Sequence, residues 1–225
     1  MAIILTNSIF IHIPKCGGTW VKEALENANL IKAKTPGSTK HSSLAELRPK
    51  FPDLLMGKKA FTFVRNPVTW WQSRWSDPYH RENYSKKPIP NSEKWCSNIR
   101  WFNAETMIRN DEQFDDFNKY LTYMLEWRPG FYTEYCRFMT NVKKIEIGKY
   151  ERLTEDLIEI IYRLGENFEA KTIRETEIAN ESDASVKNKR YYTYENLKKL
   201  IEAEKKIMEQ YGYSTSMDDY THLVR

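Results

Sequence analysis

Lys15, Gly17, Gly18 and Thr19 stand between an apolar run and an amphipathic stretch, and together they suit the binding of an anion. Ile9, Ile11 and Ile13 alternate with Phe10 and His12 and predict a buried β-strand that ends at Pro14. Val21, Ala24, Leu25 and Ala28 recur at helical spacing and predict a helix after the glycines. A strand feeding a helix through such a turn points backbone N–H groups and the helix's positive end at one spot. Lys15 adds a full charge to it. A phosphate-like or sulfate-like group is the expected occupant.

The details differ from an ordinary nucleotide triphosphatase. A Walker loop closes on a Lys-Ser/Thr pair, whose hydroxyl holds Mg²⁺. Here the lysine precedes the glycines, and Thr19-Trp20 follows Gly18. The next clear strand, Ala60-Phe61-Thr62-Phe63-Val64, ends in Arg65 rather than in a metal-holding aspartate. No metal ligand set is expected.

The pattern resembles the sulfotransferases that use 3′-phosphoadenosine 5′-phosphosulfate (PAPS). Pro14 to Trp20 match their Pro-Lys-x-Gly-x-Thr-Trp loop for the 5′-phosphosulfate. Arg65-Asn66-Pro67, with Ser73 eight positions past the arginine, matches their 3′-phosphate motif. Gly148 to Leu157 looks like the strand-then-helix segment such enzymes carry further along. The likeness is close over residues 9–75 and looser over 144–213; residues 76–143 match nothing in the family.

The resemblance implies a set of roles. Lys15, a flexible point charge, would neutralise the leaving group. Cys16, Gly17, Gly18 and Thr19 would line the loop, the glycines letting the backbone approach the phosphosulfate, and Trp20 would lie against the adenine. Arg65 and Ser73 would hold the 3′-phosphate, and Arg190, in the basic run Val186 to Tyr191, would close that site where cytosolic members carry Arg-Lys-Gly. His41 is the expected general base, since those members place their histidine in the stretch before the arginine. Ser42-Ser43 follows it here in place of Leu-Pro, and some related enzymes use glutamate instead. Of the other histidines, His12 reads as mid-strand, His80 as loop and His222 as C-terminal tail.

These residues need a frame. Strands alternating with helices predict an α/β fold: a mostly parallel sheet flanked by helices, with the P-loop-like strand–loop–helix at its N-terminus. Helices are expected at 67–75, 111–125, 154–164 and 194–211, with a short one opening after His41-Ser42-Ser43. Thr154 is the expected cap of the third, and Gly165 and Gly212 are the expected stops of the last two. The whole chain, 1–225, reads as one sulfotransferase domain, with 76–143 as an acceptor-recognition insertion. Trp70, Trp71, Trp75, Tyr79, Tyr84, Trp95 and Trp101 crowd the segment from Trp70 to Phe102. Some of them suit a core, and the rest suit an acceptor pocket.

Composition bounds the reading. The 225 residues are 40% hydrophobic and 29% charged, which suits one globular domain large enough for PAPS. No run approaches the roughly 20 apolar residues of a membrane span, and no leader pattern opens the chain, so a cytoplasmic enzyme without membrane partner is expected. Cys16, Cys96 and Cys136 are three cysteines at wide spacing, which fits neither a disulfide framework nor a zinc pair. Cys16 is either a reactive thiol or a small loop filler, and the filler is the simpler reading. The net charge of +4 suits anionic ligands without implying nucleic acid. The expected reaction is sulfuryl transfer from PAPS to a hydroxyl, with an amine as second choice, of a small-molecule or saccharide acceptor. A nucleotide kinase or NTPase and, last, a single-strand nucleic-acid binder are the alternatives.

Overall fold

The computed structural model describes residues 2–36, 41–76, 116–141, 144–177 and 189–225. They fall into two compact units: Met1–Asn66 with Tyr132–Glu181, and Pro67–Phe131 with Ser182–Arg225.

The first unit holds a mixed five-stranded sheet flanked by helices. Its strands are β1 (Ile3–Ile4), β2 (Ser8–Phe10), β3 (Ala33–Lys34), β4 (Lys59–Val64) and β5 (Ile145–Lys149), in the order β3-β1-β2-β4-β5. Strands β2, β4 and β5 run parallel, in a register that sets Phe10 against Phe61 and Val64 against Lys149. The short β1 and β3 add an antiparallel edge, so half of the strand pairings are parallel and half antiparallel. The apolar run at 9–13 leaves the sheet earlier than its alternation predicts. Ile11 N–H still bonds the Phe61 carbonyl at 2.9 Å, and the chain then turns away toward Pro14, which has no N–H to offer a ladder.

Helix α1 (Gly18–Asn27) buries Trp20, Val21, Ala24 and Leu25, close to the predicted face. Two short helices, α2 (Leu44–Leu47) and α3 (Pro52–Leu55), lie on the connection to β4. Ser43 caps α2 in a reciprocal capping box with Glu46, so the second of the serines after His41 fixes a helix start. Pro52 opens α3 at a position where its missing N–H costs nothing.

Helix α4 (Pro67–Trp75) opens the second unit and carries a proline in its first turn as predicted. It packs with α5 (Phe117–Trp127) and with the last long helix (Tyr194–Gln210). Trp70, Trp71 and Trp75 are all buried here, and the Trp71 indole N–H donates to Glu204 Oε1 at 3.3 Å. These three tryptophans therefore build a core and leave no ring for an acceptor. The predicted start of α5 at Asp111 is too early: Asp116 is its cap, accepting from the N–H groups of Asn118 and Lys119. Residues 111–115, and the segment 77–115 that carries Tyr79, His80, Tyr84, Trp95, Cys96 and Trp101, lie outside the described residues.

Returning to the first unit, α6 (Phe131–Thr140) supplies Tyr132, Tyr135, Cys136 and Met139 to the core. A 3₁₀ turn (Tyr150–Arg152) then leads from β5 into α7 (Leu153–Arg163), and α8 (Ala170–Arg174) packs against α1 and α7. Thr154 sits one residue inside α7 rather than capping it, because the 3₁₀ turn already bends the chain into the helix and Arg152 takes the cap position. Among the described residues no helix is long and apolar enough to cross a membrane.

Candidate functional site

The three parallel strands all point their carboxyl ends the same way. In open α/β sheets that edge is where ligands bind. Three segments leave it in the first unit: Ile11–Gly17 after β2, Arg65–Asn66 after β4 and Tyr150–Arg152 after β5.

The first segment is conformationally tense. Lys15 has φ 64° and Gly17 φ 80°, so a lysine occupies the left-handed region that L side chains avoid. Alternation of this kind suits a concavity for an anion, although the Cys16 N–H is held by the Ile13 carbonyl at 3.4 Å. Helix α1 begins immediately after it, with no side-chain cap and no acidic residue in its first turn. No capping side chain therefore competes with a ligand for its leading N–H groups and its positive end.

The glycines serve this loop differently from expectation. A Cβ on Gly18 would come 2.0 Å from His12 Cδ2, and one on Gly17 would come 2.6 Å from Leu153 Cδ2 and 3.2 Å from Tyr150 Cδ2. Their bare faces are turned to protein side chains. They let the loop seat against its own walls.

Arg65 joins the same edge. Its Nη1 donates to the Lys15 carbonyl at 3.2 Å, and its guanidinium lies 4.1 Å from the centre of the Tyr150 ring. Glu151 accepts the Asn66 N–H at 2.8 Å and so fixes the turn that follows. Lys15 and Arg65 are both half-buried, and Thr19 is exposed at the helix start.

His41 is half-buried, with Nδ1 3.4 Å from the His12 carbonyl oxygen. A carbonyl only accepts, so in that contact the neutral ring carries its proton on Nδ1 and keeps the Nε2 lone pair that a base needs. His12 is not mid-strand, because β2 ends at Phe10. Its ring lies 4.9 Å from that of His41 and 6.0 Å from that of Phe10, against Gly18. His222 falls in the C-terminal tail, in a 3₁₀ helix (Met217–Leu223).

Two loop members depart from their expected roles. Trp20 is only 5% exposed and its indole N–H donates to the Thr176 carbonyl at 3.3 Å, so it is a core aromatic with no face open to an adenine. Cys16 is buried, and that burial pushes its thiol up to about 12, against the lesser pull of Tyr132, Arg65 and Lys15. The thiol is a filler and not a nucleophile at neutral pH.

Ser73 and Arg190 belong to the second unit. There, Arg190 lies along the helix that carries Ser73: its Nη1 donates to Ser76 Oγ at 3.2 Å, and its carbonyl accepts from Gln72 Nε2 at 2.9 Å. Of the basic run, Val186 to Asn188 lie outside the described residues.

Sequence reasoning gave no role to Tyr132, which touches Cys16 and Arg65, to Tyr150, which lies under the Arg65 guanidinium, or to Glu151, which holds the Asn66 N–H. The signal for Tyr132 was its place in the apolar spacing Tyr132, Cys136, Met139 of a helix preceded by Gly130. The chain matches no protein-family model, no curated protein and no solved structure.

Proposed function

We propose that this chain is a PAPS-dependent sulfotransferase acting on a hydroxyl of a small-molecule or saccharide acceptor. The reading takes residues 1–225 as one catalytic domain and gives it a cytoplasmic location. It rests on one observation above all: Arg65 Nη1 lies 3.2 Å from the Lys15 carbonyl, so the two motifs of the resemblance meet at one sheet edge, beside an uncapped helix N-terminus.

Sulfuryl transfer asks a protein for position, a base and a counter-charge for the leaving group. The acceptor oxygen forms a bond to sulfur as the bond from sulfur to the 5′-phosphate oxygen breaks. His41 Nε2 takes the acceptor's proton, and 3′-phosphoadenosine 5′-phosphate departs with the bonding electron pair. Lys15 and the first-turn N–H groups of α1 meet the charge that builds on that phosphate oxygen. Arg65 is the first unit's ligand for the 3′-phosphate. Ser73 and Arg190 keep the same assignment from the resemblance alone, and Thr19 offers a hydroxyl to the 5′-phosphate.

An acceptor screen with sulfur-labelled PAPS tests the reading. Label should pass to an acceptor hydroxyl with release of one 3′-phosphoadenosine 5′-phosphate per transfer. Loss of the terminal phosphoryl group of a nucleoside triphosphate, to water as inorganic phosphate or to an acceptor, with no sulfuryl transfer, would assign the loop to the NTPase or kinase class instead.

A further inference from the structure

Tyr132 touches both halves of the candidate anion site and forms no part of the motifs. Its hydroxyl accepts the backbone N–H of Arg65 at 2.8 Å and lies 3.5 Å from Cys16 Sγ. The side chain is fully enclosed on α6, so the hydroxyl cannot exchange these partners for water. One oxygen thus ties residue 16 of the loop to residue 65 of the β4 end. The same two segments are also joined through Arg65 Nη1 and the Lys15 carbonyl. A hydroxyl that accepts from Arg65 still has a proton to offer the sulfur, so both contacts hold at once.

We infer that Tyr132 is a positioning residue: a buried pin that fixes the spacing between the anion loop and Arg65, and thereby selects a ligand with two separated anionic groups, a nucleoside 3′,5′-bisphosphate. This rests on the function proposed above. A ligand held at two points gains from a spacing set in advance, whereas a ligand held only by the loop does not.

The test measures binding of 3′-phosphoadenosine 5′-phosphate and of 5′-AMP, which lacks the 3′-phosphate, to wild-type protein and to Tyr132→Phe. The wild type should prefer the bisphosphate. Tyr132→Phe should lose about tenfold in bisphosphate affinity, the scale of one or two buried hydrogen bonds, while 5′-AMP binding changes less than about twofold. Ser8→Ala removes another buried hydroxyl, the one bonded to Glu166 at the far end of β2, and should leave both affinities unchanged at a similar loss of stability. Equal weakening of both nucleotides, or none, in Tyr132→Phe would overturn the pin while leaving the site itself intact. A wild type with no preference for the bisphosphate would overturn the functional reading, and the pin with it. Should Tyr132→Phe fail to fold, Cys16→Ala removes only the sulfur end and is expected to lower the same preference by a smaller factor; an unchanged preference there would also overturn the pin.

Discussion

The two ends of the parallel strands use charged and polar residues in opposite ways. At the amino end, the Glu166 carboxylate is buried, and its Oε1 accepts from the Asn7 N–H at 2.8 Å and the Ser8 hydroxyl at 2.7 Å. Lys58 spends its ammonium on the carbonyls of Leu5 and Thr6. These donors are consumed by the fold, while the buried Glu166 Oε2 has no hydrogen-bond partner among the described residues. At the carboxyl end, the backbone itself is strained at Lys15, a helix start stands uncapped, and a second cation lies against the same loop. Charge alone does not distinguish the two ends. What differs is the backbone: ordinary strand ends bring donors to acceptors at one end, while at the other a left-handed lysine and a helix start without a side-chain cap stand beside a second cation.

The sharpest way to break this comparison is at Lys15. Lys15→Ala should lower turnover by roughly a hundredfold to a thousandfold and weaken binding of 3′-phosphoadenosine 5′-phosphate, because it acts on the bound group and on the departing oxygen. Thermal stability should hold or rise, since alanine removes the lysine side chain but keeps the loop carbonyl that Arg65 bonds. Next, His41→Ala should cost turnover about a hundredfold with nucleotide affinity almost intact, measured by steady-state kinetics beside calorimetric titration. Near-wild-type turnover would move the base elsewhere, with His12, whose ring neighbours His41, as the first alternative.

The amino end should give the reverse pattern. Glu166→Ala strips the acceptor from the buried Ser8 hydroxyl and the part-buried Asn7 N–H and should destabilise the protein by about 1–3 kcal/mol in chemical denaturation. The nucleotide dissociation constant should not move. A large loss of nucleotide affinity there would erase the distinction between the two ends.

How much of this could be read from sequence depended on the length and punctuation of each element. Strand β4 and helix α4 were legible almost to the residue, because five apolar or β-branched residues end in Arg-x-Pro and proline fixes a helix start. Strands β1 and β3, of two residues each, carry no period to detect, and so the antiparallel edge was invisible. The loop's chemistry was legible in Lys15, Gly17 and Thr19, yet the direction of the glycines was not, because it depends on His12, Leu153 and Tyr150 arriving from distant elements. Trp20 illustrates the same limit: its motif position suggested stacking, and its environment made it core.

The smallest expected effect lies inside the loop. Burial holds Cys16 protonated up to about 12, so at pH 8 the folded protein should not react with a thiol reagent at this position, and unfolding should expose it. Because the folded state keeps that proton where the unfolded thiol has lost it, Cys16's contribution to stability is complete below the ordinary thiol pKa. It then declines as pH rises toward about 12, which denaturation at pH 8 and pH 10 should register.

The most direct test of the central claim is the shift in melting temperature given by 3′-phosphoadenosine 5′-phosphate and by ADP, each at the same concentration. A ligand selective for the folded state must raise it. The account predicts a clear rise with the 3′,5′-bisphosphate, a much smaller one with ADP, and loss of the difference in Arg65→Ala. Equal stabilisation by the two nucleotides in the wild-type protein would contradict it.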